Sequence, residues 1–344
     1  MSRPLRVGVL APISWRVPPR RYGPWEYFAS LLTEGLVARG LDVTLFATTD
    51  SITSAKLDAV CARPYSEDST IDPRVWEALH AAHAFERAAE FDIIHNSADY
   101  LPLTYSGLTK TPVITTIHGL SSARILPVFE RYNATTHYVA ISDADRNSRL
   151  NYVATIHHGI PMEDFAPRRA HGDYLLFFGR IHPDKGTAEA IDVALRTKRR
   201  LVIAGIVHDE NYYKHSVAPR VDGDRIRYIG PIAPSERAEL LGNAYALLHL
   251  INFEEPFGLS MIEAMACGLP VIARRRGSVP EIIKNRETGF IVSGIDEAIE
   301  VLPDVGRLDR TQIRRVAERR FSVGRMVEEY VRAYESVLGA HVRT

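Results

Sequence analysis
The strongest constraint on this chain is an alternation of short β-rich runs with longer stretches of helical period. In the first half the runs are Leu5–Leu10, Val43–Ala47, Ile93–His95, Val113–Ile117 and Tyr138–Ile141. Between the first two, "YFASLLTEGLVARG" repeats apolar residues at helical spacing and stops at Gly40, a helix-ending glycine. Strands that are apolar on both faces, with helices between them, predict a parallel sheet covered on both sides. The segment "GIPMEDFAPRRAHGD", residues 159–173, is polar, proline-containing and without period, and reads as a linker. After it the alternation restarts at Tyr174–Phe178, Leu201–Ala204, Ile226–Ile229, Ala246–Leu250, Pro270–Ala273 and Gly289–Val292. From Asp309 to about Leu338 the chain is helical and charged on one face.

The expected fold class is therefore α/β, with two doubly wound domains facing across a cleft. The boundaries read as residues 1–160, a linker at 161–173, a second domain at 174–325, and a C-terminal helix at 326–344 that packs back on the first domain. A length of 344 residues fits two domains better than one. Lys plus Arg equals Asp plus Glu at 42 each, so no net field draws the chain to nucleic acid or anionic lipid. Cys61 and Cys267 stand far apart in apolar contexts, which argues for free thiols and a reducing compartment. The opening "MSRPLRVGVLAPI" reads as a buried strand rather than a leader. No window reaches ~18 consecutive apolar residues, so no membrane span is expected and the location reads as cytoplasmic.

Two stretches carry chemistry. In "LLFFGRIHPDKGTAEAI", residues 175–191, a strand runs into Gly179 and a polar loop before a helix opens near Thr187. A strand-to-helix turn aims N–H groups and a positive helix end at one spot, an anion site to which Arg180 and Lys185 add two cations. The plainer reading, two solvated loop charges, has about equal standing from this loop alone. The order Lys185-Gly186 excludes a Walker A loop, and no G-x-G-x-x-G follows a strand.

The second stretch, "FEEPFGLSMIEAMACGLPVIA", residues 253–273, shifts the balance towards the anion site. A helix beginning around Gly258 would offer the N–H groups of Phe257, Gly258 and Leu259 to a second anion site. Glu263, a turn inside the helix, reads plainly as a solvent-facing residue, but its setting among Met261, Ile262, Ala264, Met265 and Ala266 weakens that reading, since a carboxylate there wants partners. It suits a sugar diol. Glu255 precedes the helix, where a transferred group would sit; the plain alternative is an acidic bias at a helix start.

These residues resemble glycosyltransferase family 4, of GT-B architecture with two Rossmann-like domains. Gly179, Arg180, Lys185 and Gly186 match its Gly-Arg-x-x-x-x-Lys-Gly loop, and Glu255 and Glu263 its Glu-x7-Glu signature. "EAMACGLPVIA" and "GSVPEIIKNRETGFIV", residues 277–292, match the next stretches of the family pattern. The resemblance is close over roughly 160–310 and looser before. It implies a retaining transferase using a nucleotide-diphosphate sugar. Arg180 and Lys185 would neutralise the departing diphosphate, Glu263 hold the ribose hydroxyls, and Glu255 contact the donor sugar. Phe257, Gly258 and Leu259 would meet phosphate or sugar oxygens, and backbone near Gly230-Pro231-Ile232 the base.

The first half would supply the acceptor side. Its loop "RVPPRRYGPWE", residues 16–26, has Gly23-Pro24 where the family more often has two glycines. Gly23 still permits close phosphate approach, while Pro24 removes a donor. Arg16, Arg20 and Arg21 suit an acidic acceptor or a solvated loop; Tyr22 and Trp25 suit ring stacking or packing. "YGPWE" is similar to a branch that includes tetrahydrobiopterin glucosyltransferases and antibiotic-pathway transferases. His118, in "ITTIHG", matches a family histidine beside the donor sugar, and His158 stands in place of a usual asparagine, which leaves open whether His157 or His158 touches ligand. Asp143-Ala144-Asp145 and Asp222-Gly223-Asp224 spell Asp-x-Asp, but read as a helix N-terminus and a turn. With Arg180 and Lys185 present, no metal or other cofactor is expected. The donor expected is a UDP-sugar, glucose first, and the acceptor a small soluble molecule or glycan. Alternatives are a GDP-mannose-dependent mannosyltransferase, a nucleotide-sugar epimerase, or a noncatalytic nucleotide-sugar-binding protein.

Overall fold
The computed structural model describes residues 3–20, 23–119 and 122–341. The first half supplies β1 (Arg6–Leu10), β2 (Asp42–Phe46), β3 (Lys56–Asp58), β4 (Ile93–Asn96), β5 (Val113–Ile117), β6 (His137–Ala140) and β7 (Tyr152–Thr155). Its helices are α1 (Pro24–Ala38), α2 (Pro73–Glu86) and α3 (Leu126–Tyr132). The second half supplies β8 (Tyr174–Phe178), β9 (Arg200–Ala204), β10 (Ile226–Gly230), β11 (Ala244–His249), β12 (Val271–Arg274) and β13 (Gly289–Val292). Its helices are α4 (Thr187–Thr197), α5 (Glu210–Tyr212), α6 (Pro234–Gly242), α7 (Leu259–Ala266), α8 (Val279–Ile282), α9 (Ile295–Val305) and α10 (Arg310–Phe321), and α11 (Val323–His341) ends the chain.

Both sheets are parallel throughout. Among the described residues the order is β3-β2-β1-β4-β5-β6-β7 in one and β10-β9-β8-β11-β12-β13 in the other. Each sheet therefore reverses its winding beside its first strand, between β1 and β4 and between β8 and β11. Such switch points are where loops diverge and ligands bind in doubly wound folds. The molecule is α/β with two Rossmann-like units.

One unit comprises the chain up to Gly159 and the residues from Val323 onward; the other is Ile160–Ser322. Segment 161–173 is counted with the second unit. There the Arg314 guanidinium of α10 donates to the carbonyls of Phe165, Met162 and Ala266. The C-terminal stretch, expected as one helix, is two, because Ser322 is extended (φ −74°, ψ 148°). On α11, Met326, Val327, Tyr330, Ala333, Tyr334 and Val337 recur at helical spacing and join the core of the first unit. Strands β3 and β7, absent from the sequence reading, lie at the two edges of their sheet and are too short and exposed to give a pattern.

The Asp143–Asp145 stretch is a correction. No helix starts there; the segment turns, with Arg146 N–H donating to the Asp143 carbonyl and Asp145 N–H to Ser142 Oγ. The residues after it, "RNSRLN", lack the apolar stripe a helix would bury. Asp222–Asp224 is the turn expected, Asp222 accepting from the N–H groups of Asp224 and Ile226.

Candidate functional site
The two loops leaving the switch point of the second unit are those after β8 and β11. The first begins at Gly179 and closes as a tight turn, with Lys185 N–H donating to the His182 carbonyl and Gly186 N–H to that of Pro183. Gly186 then opens α4 with φ +75°, and a Cβ there would lie 2.0 Å from the Leu250 carbonyl oxygen. Glycine is required on both counts, and this contact brings the loop of Lys185 against the loop of Glu255.

Lys185 Nζ donates to Glu255 Oε2 at 2.8 Å and rests 4.2 Å from the centre of the Phe253 ring. His249 Nε2, at the end of β11, is 3.5 Å from the same carboxylate oxygen. A third loop, after β12, fixes the backbone beneath. Gly277 packs so closely that a Cβ would lie 2.3 Å from the Glu255 carbonyl oxygen, which also accepts from Ser278 N–H at 2.9 Å. Ser278 Oγ donates to the Phe257 carbonyl at 2.8 Å. Glu255 is buried, which alone would raise its pKa; His249 beside it and the bond from Lys185, with that ammonium's charge, instead hold it down at about 2.

Glu263 is the contrasting case. It lies in α7 and is only 4% exposed, so it is no solvent-facing helix residue. Burial raises its pKa, opposed by Arg237, whose Nη1 donates to Oε1 at 3.1 Å. Two carboxylates close in sequence are thus pushed apart in acidity, a common arrangement where they have different work. Gly258 is the N-cap of α7, leaving the N–H groups around Leu259 at its positive end. Arg180 is half-buried and has no acidic partner among the described residues. Ile232 lies beyond β10, the edge strand, two strands from β8 in the sheet order.

Arg237, His249 and Phe253 carry no signal in the sequence. Arg237 is an ordinary charge in a helical pattern, and only the fold brings α6 and α7 together.

In the first unit His118 follows β5 directly. Its ring stacks on Trp25 (centroids 5.4 Å) and His158 (5.4 Å) and meets the edge of Phe28 (4.7 Å). Burial, then the nearby His158 and His95, lower its pKa well below 6.5, so the ring is neutral; its Nε2 is buried with no hydrogen-bond partner among the described residues. Of the neighbouring pair, His158 joins this stack, while the His157 carbonyl accepts from Arg325. Gly23 is the N-cap of α1, with Pro24 in its first turn. Beside it Glu26 is buried and accepts from Ser14 Oγ at 2.6 Å and Trp15 N–H at 3.1 Å. A carboxylate so placed makes this loop less suited to phosphate than a double glycine would be. Arg20 is ion-paired with Glu67 and Asp50. Arg21 and Tyr22 lie outside the described residues. Among the described residues no group of His, Cys, Asp and Glu gathers that could hold a metal ion, and no helix is long and apolar enough to cross a membrane.

Comparison with known proteins matches these features to one family. A model described as Glycosyltransferase Family 4 matches residues 26–164, and one described as Glycosyl transferases group 1 matches residues 163–301. The chain belongs to glycosyltransferase family 4. Among curated members, D-inositol 3-phosphate glycosyltransferase of Corynebacterium efficiens is 32% identical over 200 residues, 52% of this chain and 46% of that protein. The chain thus spans under half the length of that relative. Phosphatidyl-myo-inositol mannosyltransferase of Mycobacterium leprae is 24% identical over 97% of both chains.

Solved structures of GT-B glycosyltransferases share the fold. AviGT4, a glycosyltransferase involved in avilamycin A biosynthesis, superposes with TM-score 0.70 at 22% identity, over 98% of this chain and 99% of that one. Anabaena Alr3699/HepE, solved with UDP-glucose, gives 0.72 at 16% over 96% and 100%. Sucrose-phosphate synthase of Thermosynechococcus elongatus gives 0.79 at 18% over 98% and 100%. In family 4 terms, the Glu-x7-Glu pair is Glu255 and Glu263, and the basic loop is Gly179–Gly186.

Proposed function
We propose that this family 4 glycosyltransferase moves a hexose from a UDP-sugar, glucose first, to a hydroxyl of a small soluble acceptor, with retention at the anomeric carbon. The observation that carries the reading is the pair of half-buried Lys185 and buried Glu255 at the switch point, beside a half-buried Arg180 with no acidic partner among the described residues. An ammonium has three donors and the Glu255 bond uses one, so Lys185 can hold a diphosphate oxygen and the carboxylate together. With Arg180 and the N-terminus of α7, it stabilises the charge that develops as the bond from the anomeric carbon to phosphate breaks. Glu263 accepts from the ribose diol, and Glu255 from a hydroxyl of the donor sugar. His118, neutral and with a free nitrogen, bonds a sugar hydroxyl. The acceptor oxygen attacks on the face the diphosphate leaves, and its proton passes to the departing phosphate oxygen, without a covalent glycosyl–enzyme intermediate and without a metal. The solved UDP-glucose complex of the Anabaena protein supports the choice of donor.

A second reading, mannosyl transfer from GDP-mannose, is favoured by the Mycobacterium leprae mannosyltransferase, which matches along 97% of both chains. Melting the protein with UDP, GDP, ADP and TDP, each with and without chelator, separates the two. A nucleotide at ~100 Kd adds roughly 2.7 kcal/mol, a shift of about 2–4 °C. A UDP shift that survives chelator is expected. A GDP shift moves the reading to mannose, a shift lost to chelator ends the metal-free mechanism, and no shift with any nucleotide ends the proposal.

A further inference from the structure
Asn252 stands in the loop after β11, three residues before Glu255, and is exposed. Its backbone N–H and both polar side-chain atoms are nevertheless engaged. The backbone N–H donates to the Asp184 carbonyl at 2.7 Å. Nδ2 donates to the Pro183 carbonyl at 3.1 Å and to Glu189 Oε1 at 2.6 Å. Oδ1 accepts from Arg274 Nη1. Pro183 and Asp184 form the turn that carries Lys185, Glu189 lies in the first turn of α4, and Arg274 ends β12, its Nε donating to the Ser293 carbonyl at 3.0 Å. One side chain therefore ties the loop after β11 to the loop after β8 and to the end of β12. Exposed amides ordinarily leave such bonds to water.

We propose that Asn252 is a positioning residue for sugar transfer: it holds the turn of Lys185 at its distance from Glu255. The inference rests on the reading that Lys185 and Glu255 serve the donor. The lysine side chain is long, and its ammonium is placed by Glu255 and Phe253 only if the turn beneath it stays in register with their loop. Asn252 grips that turn at the Pro183 carbonyl, which also accepts from Gly186 N–H at 3.3 Å. Misplacement of a catalytic group by ~1 Å costs as much as ~10²-fold in rate.

The test uses the full chain and measures UDP release from UDP-glucose, with melting temperature alongside. Asn252→Asp removes both side-chain donors and sets a carboxylate against Glu189. It is expected to lower kcat by ~10-fold or more, with KM for UDP-glucose within ~3-fold. The melting temperature should stay within about 2 °C, because the bonds lost are exposed. Adding Glu189→Gln restores a donor–acceptor pair with residue 189 but leaves the Pro183 carbonyl without its donor, so the rate is expected to stay low; recovery to the wild-type rate would place the effect at Glu189 and overturn the inference. Asn252→Asp at wild-type rate overturns the inference. So does a rate loss that follows melting temperature, which marks a structural role only. Lys185→Ala separates the two layers. If it also runs near wild-type rate, the reading of the site falls and this inference with it. If it is slow while Asn252→Asp and Asn252→Ala are not, positioning alone fails. A wild-type protein that releases no UDP overturns both.

Discussion

Glu255 and Glu263 are both buried, and the difference between them lies in their partners. Glu255 meets Lys185 and His249 and is held at about 2; Glu263 meets Arg237 and is raised. A carboxylate with a depressed folded pKa adds stability that is fully present above its ordinary value of 4.5 and lost as pH falls towards 2. A carboxylate with a raised one has the opposite sign. Glu263→Gln is therefore expected to melt no lower than wild type at pH 7, while binding UDP at least ~10-fold more weakly, because one neutral amide oxygen replaces the two charged oxygens offered to the diol. Calorimetry and isothermal titration of the one variant check both halves; a lower melting point with unchanged UDP affinity would reverse the assignment. Lys185→Ala is expected to slow turnover at least ~10²-fold, the loss of one preorganised charge-stabilising donor, which steady-state kinetics reads directly.

The elements that hold these residues were legible to different degrees. Apolar runs buried on both faces marked β5, β8 and β13 at their observed bounds, because nothing in those segments competes with burial. Edge strands β3 and β7 bury too little to leave a pattern, and the break at Ser322 is a backbone choice between two helical stretches that share one charge pattern. The basic loop and the Glu-x7-Glu pair were readable as motifs because spacing along a loop and helix start is local. The contacts of Arg237 and Asn252 were not, since each reaches a loop or helix distant in sequence. Gly186 is where the local and the distant meet. Gly186→Ala would strain a left-handed backbone by ~1–3 kcal/mol and press a Cβ into the Leu250 carbonyl, so denaturant unfolding should show at least that loss. Stability equal to wild type would mean the two loops do not depend on this contact.

At the scale of the whole molecule, the first unit carries buried histidines that stay neutral. Burial lowers His80 to about 4 and His95 and His158 to about 3, from an ordinary 6.5. His80 Nε2 bonds the Ala11 carbonyl at 2.9 Å, and His95 bonds Tyr334 Oη of α11 at 2.6 Å and Thr116 at 3.0 Å. Between 6.5 and those values the unfolded chain binds protons that the folded chain refuses, so stability falls as pH drops through that window and is level above it. Urea unfolding from about pH 7 to about pH 4 is expected to show this fall, and His95→Gln to reduce it; a flat profile would mean these rings protonate in the folded state. The donor assignment rests on the second unit and is tested most directly by titrating UDP into the wild type, Lys185→Ala and Glu255→Gln. UDP carries the diphosphate without the sugar. It should bind Lys185→Ala at least ~10-fold more weakly, and Glu255→Gln as tightly as wild type or better, since that change frees the ammonium. UDP binding Lys185→Ala as well as wild type would contradict the placement of the diphosphate at this pair.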